Sequence, residues 1–241
     1  MRYAIVSDVH SNLEALRGAF GMVHASDGVL CLGDIVGYGP EPNECVEMIR
    51  ERATATVLGN HDVAAIDDFG TSYFNPHAKE AIRWTQGVLK KENIDWLNSL
   101  SYELRMPDFL MVHGAPVHYF EYILDVAGAA RAFEATDAPL IFVGHTHIAE
   151  YYERATDGRI MHRHMQHGGE LVMQPQSRYL VNVGSVGQPR DLNPQAGFAF
   201  YDSEARTIRW VRYDYEISAV RKKMEDVHLP EALGNRLVVG R

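Results

Sequence analysis

The chain alternates short apolar runs with stretches of helical spacing. Residues 3–6 form an apolar, β-compatible run, and residues 12–24 then place Leu13, Leu16, Phe20 and Val23 on one helical face. A second run at 29–32 leads into a Gly- and Pro-rich loop over 33–42, followed by a helix at 44–52 and a strand at 54–58. The longest helical pattern covers 76–91, with Ala78, Ile82, Thr85 and Leu89 on one side. Further apolar runs lie at 109–112 and 140–143. Beyond these the period shifts towards two, and strands are predicted at 150–155, 160–164, 170–173, 179–183, 197–201 and 208–213. Asp157-Gly158 is a hairpin turn between the first two of these. Helices return at 216–227 and near 230–233. The alternation predicts an α/β fold, with the late strands forming a second sheet packed on the first.

Composition narrows this reading. A chain of 241 residues, 46% hydrophobic, can bury a large core, and no linker or repeat divides it, so one domain over residues 1–241 is expected. Two cysteines, Cys31 and Cys45, exclude a disulfide framework and point to a reducing compartment. No apolar run approaches the roughly 20 residues of a spanning helix, and the first run is far too short for a signal peptide. A cytoplasmic protein without membrane contact is therefore expected. The net charge of -9 argues against an extended nucleic-acid surface. The 12 histidines stand out, because imidazole is the commonest metal ligand.

The residues just past the apolar runs carry the chemistry. Run 3–6 ends in Ser7-Asp8-Val9-His10, run 29–32 in Gly33-Asp34, and run 54–58 in Gly59-Asn60-His61-Asp62. Run 109–112 ends in His113-Gly114, and run 140–143 in Gly144-His145-Thr146-His147. Ligands of open α/β sheets bind at the C-terminal strand ends. Two carboxylates, an amide oxygen and five imidazoles exceed what one zinc ion takes and suit two divalent ions sharing a carboxylate. The i, i+2 spacing of Asp8 and His10 directs both side chains the same way in an extended segment. Donors of this N/O kind accept Mn, Fe, Zn, Ni or Co.

The ordered set Asp8-x-His10, Gly33-Asp34, Gly59-Asn60-His61-Asp62, His113 and Gly144-His145-x-His147 resembles the signature of calcineurin-like metallophosphoesterases. The segments Gly33-Asp34-Ile35-Val36-Gly37-Tyr38-Gly39-Pro40 and Asn182-Val183-Gly184-Ser185-Val186-Gly187-Gln188-Pro189-Arg190 are similar to the small single-domain bacterial and archaeal branch. The resemblance implies a four-layer α/β/β/α sandwich of two mixed sheets flanked by helices. It implies a first ion held by Asp8, His10, Asp34 and His147, and a second by Asn60, His113 and His145 with Asp34 bridging. It also implies phosphoester hydrolysis by a metal-bridging hydroxide, with His61 as acid or phosphate-stabilising group. The partner would be a small phosphorylated substrate. A nucleotide or dinucleoside polyphosphate hydrolase is the alternative within this fold. A catalytically weak metal-binding scaffold, as in the retromer subunit that resembles these enzymes but lacks the acid histidine, is the alternative outside catalysis.

The pattern departs from the protein phosphatases at Gly37 and Tyr38, where those enzymes carry an Asp and an Arg that support the acid histidine and grip phosphate. Adjacent side chains diverge on an extended strand, so Asp62 is not expected to orient His61. Phosphate contacts fall to Asn12 or Arg190. His118, in the aromatic stretch after His113, either overhangs the site or packs within its loop. His24, His77 and His228 are expected at the surface; His162, His164 and His167 resemble a second metal cluster, with His162 and His164 on one strand face, but a solvated polar hairpin is the favoured reading. Cys31 is expected in the core. Tyr151, Tyr152, Trp210, Tyr213 and Tyr215 are explained by sheet packing better than by nucleic-acid stacking. The C-terminal helix is expected to pack on a sheet through Val220 and Met224, and oligomerisation is left open.

Overall fold

The computed structural model describes residues 1–67 and 70–241. Twelve strands are seen among them: β1 Arg2–Val6, β2 Gly28–Cys31, β3 Ala55–Thr56, β4 Glu103–Arg105, β5 Leu110–Val112, β6 Leu140–Val143, β7 Ala149–Arg154, β8 Ile160–His164, β9 Gly169–Val172, β10 Arg178–Val183, β11 Ala196–Asp202 and β12 Thr207–Tyr213. The helices are α1 Leu13–Met22, α2 Pro42–Arg52, α3 Asn60–Asp67, α4 Pro76–Val88, α5 Lys91–Asn98, α6 Val126–Ala135, α7 Ile217–Asp226 and α8 Glu231–Val239.

The strands form two mixed six-stranded sheets, ordered β3-β2-β1-β11-β12-β9 and β4-β5-β6-β10-β7-β8. This corrects one expectation. The late strands do not make a sheet of their own; β9, β11 and β12 extend the first sheet, while β7, β8 and β10 extend the second. β1 is flanked by parallel β2 and antiparallel β11, so the C-terminal region returns beside the N-terminal strand.

Strand alternation builds the layers. In β1, Ala4 and Val6 face helices α1 and α2, where they meet Leu16, Phe20, Val46 and Ile49, while Tyr3 and Ile5 face the other sheet. In β10, Leu180 faces α6 with Ala129, Ala132 and Phe133, while Tyr179 and Val181 face the first sheet. Such strands are buried on both faces, which is why their sequences are continuous apolar runs. Each fully buried Ile, Leu or Phe contributes roughly 1.5–3 kcal/mol. The result is the α/β/β/α sandwich. Cys31 and Cys45 are buried free thiols in the helix-side core. Tyr151, Tyr152, Trp210 and Tyr213 are buried in these sheets.

Two helical boundaries differ from the pattern. The stretch 76–91 breaks into α4 and α5 at Leu89 and Lys90, both extended. Asn43 of α2 holds the break: its amide donates to the Val88 carbonyl (2.9 Å) and its oxygen accepts from the Lys90 N–H (2.9 Å). The segment 126–135 is a helix that the apolar pattern did not suggest, started by Asp125, whose carboxylate caps the Gly128 N–H at 2.7 Å. No helix is long and apolar enough to cross a membrane among the described residues.

Candidate metal centre

Five strands deliver the chemistry to one edge, as the sequence predicts. Asp8 and His10 follow β1, Asp34 follows β2, Asn60 opens α3 after β3, His113 follows β5, and His145 and His147 follow β6. The loops are laced together: Asp8 N–H donates to the Gly33 carbonyl, His10 N–H to that of Asp34, and Ser11 N–H to that of Ile35.

The backbone here is not extended. Asp8, His10, Asp34, His145 and His147 all have φ between 50° and 65°. Non-glycine residues in this left-handed region carry strain, which clusters at functional sites. The convergence of Asp8 with His10 therefore comes from tight left-handed turns, which corrects the extended-segment expectation. Gly144 is required here for close approach, because a Cβ would lie 2.5 Å from Asp8 Oδ2.

The donors form two groups that share Asp34. Asp8, His10, Asp34 and His147 make one; Asp34, His113 and His145 make the other, with donor atoms in each within 4.8 Å of one another. Asp34 Oδ2 lies 3.5 Å from His10 Nε2 and 3.3 Å from His113 Nε2. Asp34 Oδ1 accepts from the His61 N–H at 2.8 Å, which fixes the carboxylate in its bridging pose. Asp8 Oδ1 lies 3.2 Å from His147 Nε2.

The tautomers follow from the far side of each ring. His10 Nδ1 donates to the Val36 carbonyl (3.0 Å), His113 Nδ1 to Leu32 (2.7 Å), His147 Nδ1 to Gln188 (2.5 Å) and His145 Nε2 to Phe120 (3.1 Å). A carbonyl only accepts, so each inner nitrogen of a neutral ring presents a lone pair. Yet His10 Nε2 and His147 Nε2 stand 3.1 Å apart, as do His113 Nε2 and His145 Nδ1. Facing lone pairs at that distance repel unless a positive charge lies between them: a metal ion, or, for the His113–His145 pair without metal, the proton that Asp34 and Asp8 hold on His113. The amide oxygen of Asn60 is likewise buried without a donor. The donor set thus fits divalent cations: six of the seven sequence-predicted ligands fall in these two groups, and Asn60 lines the same cleft as His145.

Electrostatics agree. Burial pushes the Asp8 and Asp34 carboxyls up, but the imidazoles of His147 and His113 outweigh it and hold both below the ordinary carboxylate range. Burial holds His10 and His147 down and lowers His145 to about 3, so these rings are neutral donors. Burial opposes protonation of His113 as well, but Asp34 and Asp8 lift it to about 9.

His61 lies in the first turn of α3, its ring between Tyr38 (4.4 Å) and Phe74 (4.5 Å) and edge-on to His10 (4.8 Å). Its Nδ1 is buried with no partner. Among the described residues no carboxylate hydrogen-bonds its ring. Gly37 occupies the place where one was sought, and a Cβ there would collide with His61 Nδ1. Burial lowers the ring to about 4, partly offset by Asp34. Asp62 turns away as expected, though His61 and Asp62 are helical rather than extended. Its carboxylate accepts from the N–H groups of Ile35 (2.8 Å), Val36 (3.0 Å) and Gly59 (3.0 Å), clamping two ligand-bearing loops together.

The weaker assignments separate. Asn12 caps α1 by accepting from Ala15 N–H (3.1 Å) and donates to the Gly187 carbonyl (2.9 Å), so its side chain serves the loop rather than a phosphate. Arg190 sits over the Tyr38 ring at 5.6 Å, and its charge reaches His61 and His147. His118 lines a cleft of about 970 Å³ that opens onto Asn60 and His145. Tyr73, Tyr102, Tyr119 and Tyr122 line it too, and the Tyr122 ring stacks on His145 at 3.8 Å. Tyr122 lies in the aromatic stretch weighed as overhanging the site, whereas sequence reasoning missed Tyr38 and Phe74 as its walls, because they are placed by loops with no periodic signal. Sequence reasoning also favoured a solvated hairpin over a metal cluster for His162, His164 and His167. In the structure His162 and His164 turn onto the buried Glu150, whereas His167 lies in the exposed turn after β8.

A sequence model described as the calcineurin-like phosphoesterase superfamily domain matches residues 1–206. The chain belongs to this superfamily. It is 40% identical to a metallophosphoesterase of Sphaerobacter thermophilus of known structure, which covers all of both chains at a TM-score of 0.91. It is 37% identical to an uncharacterized protein of Methanocaldococcus jannaschii, over 99% of this chain and 98% of that one. A further likeness, 30% identity over 119 residues, joins 46% of the chain to 42% of a symmetrical bis(5'-nucleosyl)-tetraphosphatase of Neisseria meningitidis. This superfamily member is a phosphoric ester hydrolase, of a family that typically uses divalent metals.

Proposed function

We propose that this phosphoesterase hydrolyses phosphomonoesters or phosphodiesters of small molecules at a dinuclear centre. Asp8, His10, Asp34 and His147 would hold one ion, and Asp34, Asn60, His113 and His145 the other. The observation that carries this reading is the placement of Asp34 Oδ2 within 3.5 Å of an imidazole nitrogen from each group. When bound, a pair of divalent ions activates water at neutral pH and neutralises phosphate oxygens, which allows an acidic protein to take an anion.

The protein's own residues do the remainder. The buried carboxylates and back-bonded imidazoles hold the donor geometry without further reorganisation. His61, neutral through burial, stands beside the site, where a neutral ring N–H would hydrogen-bond a phosphate oxygen or the leaving group. Arg190 adds positive potential from the opposite loop. Metal-stripped protein reloaded with Mn²⁺ should hydrolyse p-nitrophenyl phosphate or bis-p-nitrophenyl phosphate and lose that activity with chelator. Absence of turnover on both by fully metallated protein would favour the scaffold reading.

A second reading, hydrolysis of nucleotides or dinucleoside polyphosphates, is favoured by the aromatic cleft. Tyr102 and Tyr119 stack at 5.2 Å and 9° beside its opening, surfaces suited to a base. The tetraphosphatase likeness points the same way. Rates on mononucleotides, cyclic nucleotides and dinucleoside polyphosphates decide it: equal or absent rates on all of them remove this reading.

A further inference from the structure

A second donor cluster lies on the outer face of the second sheet, beyond the residues that serve the catalytic edge. Glu150 in β7 stands directly opposite His164 in β8, and Tyr152 opposite His162, so the register puts Glu150, His162 and His164 on one face. Glu150 Oε2 lies 2.7 Å from His162 Nε2 and 3.2 Å from His164 Nδ1. The three donor atoms fall within 4.8 Å of one another.

The carboxylate is the unusual member. Its side chain is only 4% exposed, yet its hydrogen-bonding and ion-pair partners are those two imidazoles, with no lysine, arginine or backbone amide. A buried carboxylate normally needs a cation or several donors. His162 is held in place by Tyr152, whose ring stacks on it at 4.2 Å and 5°. His164 is 63% exposed, so the cluster is open to water on its outer side.

We propose that Glu150, His162 and His164 form a third divalent-cation site, suited to Zn²⁺ or a similar first-row ion. Two imidazoles and one carboxylate are a standard borderline donor set, with water completing the shell. Zn²⁺ ligated at about 2.0–2.1 Å holds neighbouring donors roughly 3.3 Å apart, against 3.2 Å from Glu150 Oε2 to His164 and a closer, hydrogen-bonding 2.7 Å to His162. The two neutral rings and one carboxylate leave a net positive complex at the surface, where water and counter-ions solvate it. β8 is the edge strand of its sheet. An ion here clips it to β7 and covers the edge's free end against fraying.

The test counts ions. Full-length wild-type protein and the His162→Ala/His164→Ala variant are stripped with chelator, dialysed against the same micromolar Zn²⁺ solution, and analysed for total metal per chain. Wild type should carry one ion more per chain than the variant, and Glu150→Gln should lose the same ion. Equal metal content in wild type and the double variant overturns the proposal. Weak binding at other surface histidines is common to all the proteins and cancels in the difference. The ions left in the double variant report separately on the catalytic centre, and their retention shows that the variant is folded.

Discussion

His113 Nε2 and His145 Nδ1 lie 3.1 Å apart, and the other nitrogen of each ring is spent on a backbone carbonyl. Two rings from different strands are thus fixed with their inner nitrogens converging; without metal the proton that Asp34 and Asp8 hold on His113 lies between them, and a bound ion takes its place. His61, which has no such back-bond and no facing nitrogen, is set apart from the ligands by the same criterion.

His61→Ala should lower kcat by about 10²–10⁴-fold, the usual contribution of a positioned acid or proton donor. Metal content per chain should stay at the wild-type value. Elemental analysis of the purified variant checks this, and loss of an ion would make His61 a ligand.

Asp62→Ala should destabilise the fold without touching a metal donor. Its carboxylate satisfies three buried N–H groups, of Ile35, Val36 and Gly59. Each one left unpaired costs about 1–3 kcal/mol. A loss of at least about 3 kcal/mol in urea unfolding is expected, with weakened metal affinity because the Asp34 and Asn60 loops are no longer clamped. A variant as stable as wild type would contradict this role.

Tyr102→Ala tests the aromatic cleft. Removing one stacking surface costs about 1–3 kcal/mol per base. KM for a dinucleoside polyphosphate should therefore rise about 5- to 150-fold, while KM for p-nitrophenyl phosphate stays near wild type. Parallel changes on both substrates would remove the cleft from nucleotide recognition.

Glu150 gives a pH-dependent stability. Burial raises its carboxyl from 4.5 to about 7, with the Asp191 charge adding to the rise and His164 opposing it. Ionisation therefore costs more in the fold than in the unfolded chain. In metal-free protein this contribution is intact below about pH 4.5 and is lost as pH rises through about 7. His162 and Tyr152 face the same carboxylate, and burial lowers the His162 ring below its ordinary value. Compared with Glu150→Gln, metal-free wild type should lose Tm between pH 5 and pH 8. An identical pH profile for the two proteins would refute the assignment.

The sequence made the site more legible than the fold. Asp8, His10, Asp34, Asn60, His113, His145 and His147 could be read because each follows an apolar run, and strand ends fix position more strongly than propensity does. The partition of late strands between two sheets could not be read, because pairing partners such as β1 with β11 are chosen by distant packing. The break between α4 and α5 depends on Asn43, a residue on another helix. The turn of Asp8 and His10 into left-handed backbone was equally hidden, since neither residue type demands it. Glu150 carried no signal of its own until its register against His162 and His164 was known.

The dinuclear reading requires Asp34 to bridge two ions. Anomalous diffraction from crystals of Mn²⁺-loaded protein is the decisive measurement. Two peaks about 3.5–4 Å apart are predicted, with Asp34 Oδ2 between them, Asp8, His10 and His147 around one, and Asn60, His113 and His145 around the other. A single peak, or two peaks of which Asp34 contacts only one, would contradict it.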